Sequence, residues 1–115
     1  VIGGYSDPKG TRVGLGALLL SYYEGGKLKY AGEVGTGFSQ QMLKDLHRRL
    51  SALERPEPPF EHDHMPRSGI HWVRPSLVAE IAFTEWTREG KLRRPRFKGL
   101  RRDKSPTDVV RERPT

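Results

Sequence analysis

At 115 residues, with 21 Lys and Arg against 14 Asp and Glu, the chain has the length of one domain and a formal net charge of +7. The absence of cysteine excludes a disulfide framework and any thiolate metal site. Its longest uncharged apolar run, from Leu15 to Tyr23, is far short of the roughly 20 residues a membrane helix needs, so no membrane partner is expected and the cytoplasm is the default location.

Val1 to Tyr5 reads as a first strand, closed by the turn cluster Ser-Asp-Pro-Lys-Gly. The opening residues show neither an initiator Met nor the regions of a signal peptide. A chain that starts inside an apparent strand is expected to be a domain cut from a longer one. Ala17 to Tyr23 and Leu28 to Val34 flank Glu24-Gly25-Gly26, whose glycines can supply a tight hairpin turn. On the second arm, period-two alternation places Leu28, Tyr30 and Val34 on one face, with Lys27, Lys29 and Glu33 on the other.

Ser39 then precedes Met42, Leu43, Leu46, Leu50 and Leu53, a stripe at helical spacing, with Ser39 as N-cap. Asp45 can pair with Arg48 or Arg49, and Arg55-Pro-Glu-Pro-Pro59 ends the helix. A polar loop follows to about Ser68. Leu77 to Trp86 alternates as a fourth strand and Arg96 to Arg102 supplies a fifth. Ser105-Pro-Thr-Asp starts a short terminal helix that frays. This order predicts a mainly β chain with one helix between strands three and four, a five-stranded Greek-key OB-fold barrel. Its expected limits are 1–104, with 105–115 a tail or short helix.

Arg88 to Lys104 carries nine Lys or Arg against two acids, which accounts for the entire net charge. Positive potential focused on one element suits a polyanion, because each phosphate neutralised releases counterions. The triplet Arg101, Asp103, Lys104 suits a polyphosphate: a guanidinium forks two oxygens, a lysine adds a point charge, and a carboxylate orients either. A solvated basic tail is the plainer alternative.

Gly14-Leu-Gly16 and Gly35-Thr-Gly37 match no phosphate loop and read as bulge or turn glycines. Glu61-His62-Asp63-His64 and nearby His71 lack the spacing of a metal site, so none is expected. His47 lies off the leucine stripe and reads as exposed. Trp72 and Trp86 either stack on bases or fill the barrel end.

Several blocks, in order, resemble the C-terminal OB domain of bacterial ATP-dependent DNA ligases, particularly the end-joining ligase D type. They are Val1-Ile-Gly-Gly-Tyr5, Gly16-Ala-Leu-Leu-Leu20, Tyr30-Ala-Gly32, Val34-Gly-Thr-Gly-Phe38, His71-Trp-Val-Arg-Pro75, Leu77-Val-Ala-Glu80 and Glu85-Trp-Thr87. Phe97-Lys-Gly-Leu-Arg-Arg-Asp-Lys104 resembles ligase motif VI. The resemblance implies that ATP adenylylates a lysine in a preceding nucleotidyltransferase domain. AMP then passes to the 5′-phosphate of a nick, and the 3′-hydroxyl displaces it. Arg101 and Lys104 would steady the leaving pyrophosphate, with Asp103 assisting or helping to position Mg2+.

For sealing, the domain would turn another face to duplex DNA, with Lys27, Lys29, Arg12 and Lys98 as phosphate contacts. The implied partners are nicked or broken double-stranded DNA, the adjoining domain and a Ku-type end-binding protein, on the bacterial nucleoid. The chain has no Lys-x-Asp-Gly, the family's nucleophile motif, so alone it is expected to be inactive and to hold no cofactor. The alternatives are a stand-alone OB module for single-stranded DNA or RNA and a small ribosome-associated protein.

Overall fold

The structure, a computed structural model, describes residues 1–8, 14–60 and 69–110. Their elements are β1 (Ile2–Ser6), β2 (Leu18–Glu24), β3 (Lys27–Val34), α1 (Gln40–Ser51), β4 (Glu54–Arg55), β5 (Ile70–Val73), β6 (Val78–Ala82), β7 (Glu85–Trp86), β8 (Leu92–Arg93) and β9 (Arg96–Arg101). A single 3-10 turn, Pro106–Asp108, stands where the sequence predicts a short helix. No helix among the described residues is long and apolar enough to cross a membrane.

The hairpin forms as its glycines require. Gly25 and Gly26 take φ of 59° and 79°, so Glu24 pairs with Lys27 across a two-residue turn. An antiparallel sheet in the order β3-β2-β1-β5-β4 is built outward from it, while β6 pairs with β9 and β7 with β8. Single backbone bonds tie the segments flanking these strands at two places, one just before β6 and one just after β3. Ile2 N–H donates to the Leu77 carbonyl at 2.9 Å, and Phe97 N–H to the Thr36 carbonyl at 3.0 Å. The architecture is the mainly β OB-fold with its helix after the third strand.

Three register shifts bend these strands, and they overturn part of the period-two reading. Leu20 faces Gly32 but Ser21 faces Tyr30, so Ala31 is an extra residue on β3. Side chains before and after it therefore swap faces. Leu28 and Tyr30 join Leu19 and Phe60 in one buried cluster, whereas Ala31 and Val34 join Leu18, Leu20 and the helix in the other. The expected common face of Leu28, Tyr30 and Val34 does not exist. Nor do the lysines share a face with Glu33: Lys27 and Lys29 stand opposite Glu24 and Tyr22, while Glu33 stands opposite Leu19.

The helix follows its stripe. Ser39 Oγ accepts from Met42 N–H at 3.1 Å as the N-cap, and Leu43, Leu46 and Leu50 are buried. Each of these leucines contributes about 2 kcal/mol relative to exposure. Asp45 pairs with both Arg48 and Arg49. The helix stops at Ser51, before the prolines, because Glu54–Arg55 leaves to pair with β5. The predicted strand Leu77–Trp86 is broken: Thr84 turns out, its N–H and hydroxyl both bonding the Arg93 carbonyl, so Glu85–Trp86 pairs with β8.

Two buried tyrosines predict alkaline sensitivity. Burial is the main cause that raises the Tyr30 hydroxyl from 10 to about 12, and burial followed by its bond to Glu54 raises Tyr5 from 10 to about 12. Unfolded tyrosines ionise first, so this stabilisation is complete below pH 10 and is lost as pH rises through about 12. Denaturant midpoints are expected to fall across that window, and less steeply in Tyr30→Phe. An equally steep fall in that variant would remove Tyr30 from the account.

Candidate nucleotide and nucleic-acid interface

Strand β9 presents the basic segment. Phe97 is buried and stacks on Phe38 with ring centroids 4.8 Å apart, which fixes the strand's root. Glu80 faces Gly99 while Ile81 faces Phe97, leaving Lys98 as the extra residue of a bulge. The bulge brings Leu100 as well as Phe97 onto the core, so the strand does not alternate simply between its two faces. Lys98 stays exposed.

Arg101 ends the strand and folds back on Asp103. Its Nε donates to one carboxylate oxygen at 3.1 Å and a terminal nitrogen donates to the other at 2.8 Å, a two-point fork. This guanidinium holds the Asp103 carboxyl below its usual range. The Arg101 and Asp103 side chains are 37% and 70% exposed, so the pair stands in solvent, where such ties are weak. A polyphosphate can displace the carboxylate without stranding a buried charge. Arg101 and half-buried Lys104 both border a cavity of about 150 Å³ whose apolar walls include Tyr22, Ile81 and Trp86. Arg102 is exposed beside them.

The chemistry of this donor set favours phosphate over a metal. Asp103 is the triplet's one carboxylate, and Arg101 occupies both of its oxygens. Magnesium commonly needs one or two available carboxylates besides phosphate oxygens, so the triplet, with Asp103 engaged by Arg101, does not build a magnesium site by itself. Among the described residues no group of three His, Asp or Glu is placed to hold a metal ion. Residues 61–64, and Arg12 with them, lie outside the described residues.

Lys27 and Lys29 sit on the β2-β3 hairpin, Lys27 exposed and Lys29 half-buried. They belong to a different element from Arg101, Asp103 and Lys104, which the end of β9 and the residues after it bring together. His71 has a role that the sequence hid. Its ring stacks on Tyr5 at 4.8 Å, with Nε2 at 2.6 Å from Asp7 and Nδ1 at 3.1 Å from Glu54. Tyr5 also donates to Glu54 at 2.6 Å, so the cluster pins β1, β4 and β5 together. Trp72 packs edge-on to Phe60, and Trp86 to Tyr22 and Phe83, which gives both indoles internal packing partners.

Within the predicted basic patch, contacts separate engaged cations from open ones. Arg93 pairs with Glu85 at 3.0 Å, and the Lys91 ammonium lies 5.2 Å from the centre of the Tyr30 ring. No ion pair is formed by Arg94, Arg96 or Lys98 among the described residues.

Comparison with known proteins gives the family of the chain. Residues 11–104 match the family described as ATP dependent DNA ligase C terminal region. The multifunctional non-homologous end joining protein LigD of Mycobacterium bovis is 45% identical over 97% of this chain, which covers 15% of that protein. The Pseudomonas aeruginosa LigD is 41% identical over 99% of this chain and 14% of its own length. The crystal structure of the ligase domain from M. tuberculosis LigD superposes with a TM-score of 0.88 at 44% identity, covering 97% of this chain and 37% of that one. A mycobacterial DNA ligase D complexed with ATP and MES gives a TM-score of 0.84 at 43% identity, over 97% and 36% of the two chains. The chain thus spans about a seventh of the length of these LigD proteins, and it belongs to the family of ATP-dependent DNA ligase C-terminal regions.

Proposed function

We propose that residues 1–104 act as the OB domain of an ATP-dependent end-joining DNA ligase, with 105–115 as a tail. The domain closes on a nucleotidyltransferase domain to orient ATP during lysine adenylylation, then turns to grip nicked or broken duplex DNA. The observation that carries this reading is the Arg101-Asp103-Lys104 cluster at the end of β9, in a chain matched to the ligase family. As pyrophosphate leaves, negative charge grows on it. Arg101 and Lys104 stabilise that charge without covalent chemistry, and Asp103 keeps the guanidinium oriented until phosphate replaces it. Any Mg2+ enters on the nucleotide.

Lys27, Lys29, Arg12 and Lys98 are the proposed DNA phosphate contacts. A Ku-type end-binding protein is the proposed further partner, on bacterial nucleoid DNA. The resemblance to end-joining ligases supports both. It also favours the ligase reading over a stand-alone single-strand binder.

Label transfer from ATP tests the proposal. A polypeptide joining this chain to a domain with Lys-x-Asp-Gly is expected to become labelled. Deleting this chain is expected to slow labelling by about a hundredfold or more. Equal rates with and without it would overturn the assignment.

A further inference from the structure

Among the described residues one non-glycine backbone lies in the left-handed region: Arg94, at φ 52°. Such a conformation is costly for a residue with a Cβ and persists only where its surroundings enforce it. The enforcement is visible. Arg94 and Pro95 form the two-residue link between β8 and β9. On one side, the Arg93 carbonyl is held by Thr84 N–H at 3.0 Å and by its hydroxyl at 3.2 Å. On the other, Phe97 N–H is bonded to the Thr36 carbonyl at 3.0 Å.

The link is therefore tied at both ends, and Pro95 removes further freedom. Glycine would meet this backbone demand at no steric cost, yet the position carries a guanidinium, and an exposed one. Its neighbours continue the theme. Arg96 and Lys98 are exposed, two strand positions apart, while Phe97 between them is buried. Arg93, by contrast, is spent on Glu85. The result is a row of three exposed cations rooted in strained or strand backbone, a stiff track rather than a loose tail.

We propose that Arg94, leading the row Arg94-Arg96-Lys98, is a positioning contact for the phosphodiester backbone of duplex DNA. The partner is a regular polyanion because the row repeats charge along a rigid edge and forms no ion pair with a carboxylate among the described residues. A guanidinium held at a fixed root loses little freedom when it forks a phosphate. This inference rests on the reading that the chain grips duplex DNA, and it adds a residue that charge counting alone does not distinguish.

Arg94→Gly separates binding from folding, since glycine adopts the same backbone. Binding of a fluorescent nicked duplex to this chain is measured between about 50 and 200 mM salt, together with the melting temperature. The variant is expected to bind about tenfold more weakly, with a salt dependence shallower by about one unit in the log-log slope. Its melting temperature is expected to stay at or above that of the unaltered chain, as strain relief offsets glycine's freedom in the unfolded state.

Unchanged affinity in Arg94→Gly, with the unaltered chain still binding, would overturn this inference and leave the DNA-gripping reading intact. A lower melting temperature accompanying weaker binding would make Arg94 a fold residue and likewise overturn it. Failure of the unaltered chain to bind duplex at any of these salt concentrations would overturn both.

Discussion

Replacing Arg101 with alanine in the whole ligase is expected to slow lysine adenylylation by about a hundredfold or more, while sealing of a pre-adenylylated nick changes only a few-fold. The asymmetry follows from where charge develops. On the proposed function a pyrophosphate leaves in the first step, and the fork that Asp103 fills would become available to its oxygens. In the last step AMP leaves and no polyphosphate is present, so the same guanidinium has nothing equivalent to stabilise. Arg101→Lys is expected to recover only part of the loss, because an ammonium supplies charge without a planar two-point fork. Single-turnover labelling from ATP and rapid-quench sealing of adenylylated DNA measure the steps separately. Equal losses in both would show that Arg101 serves the domain's general placement and not the leaving group.

That prediction was open to a reading of the residues because the charge of the Arg88–Lys104 segment is local. Nine cations in one short segment identify a polyanion surface without any tertiary information. Which cations are available is a different matter. Glu85 reaches Arg93 only because a β7-β8 hairpin forms, and Lys91 reaches Tyr30 only because that hairpin folds against β3. Sequence distance carries no trace of either contact. The Arg101-Asp103 fork arises where the chain leaves β9 and a side chain can turn back on its strand. The His71 cluster is hidden for the same reason, since Asp7 and Glu54 are brought to the ring from two distant stretches.

The fold was legible where one local rule decides an element. The leucine stripe and Ser39 mark the helix, and the paired glycines mark the hairpin. It was not legible where one inserted residue changes parity. Ala31 looks like any small strand residue, yet as a bulge it sends Tyr30 and Val34 to opposite faces. The strand Ile70–Val73 is not legible in the residues, because it is only four residues long and mostly half-buried, with no clean alternation to announce it. Its place is set by pairing with β1 and β4, a non-local choice.

Gly37→Ala is expected to destabilise the chain by about 3 kcal/mol, through a mechanism that links the fold to the site. Gly37 has φ 94°, and a Cβ built there would lie 2.3 Å from the Phe97 carbonyl oxygen and 2.8 Å from its nitrogen. Neither obstacle is a flexible side chain. Relief requires moving β9 away from the segment that follows β3, which breaks the Phe97–Thr36 bond and shifts the root of the strand that delivers Arg101. Gly25→Ala is the matched comparison. Its φ of 59° is also left-handed, yet nothing lies within 4 Å of the added carbon. That variant therefore carries backbone strain alone, about 1 kcal/mol. Urea denaturation of the two variants isolates the clash as their difference, and hydrogen exchange locates it. The Phe97 amide is expected to lose protection in Gly37→Ala and keep it in Gly25→Ala, while the amides of α1 stay protected in both. Equal destabilisation by the two alanines would mean that β9 yields freely at this crossing, so the close approach of Gly37 would not be what holds the basic strand in place.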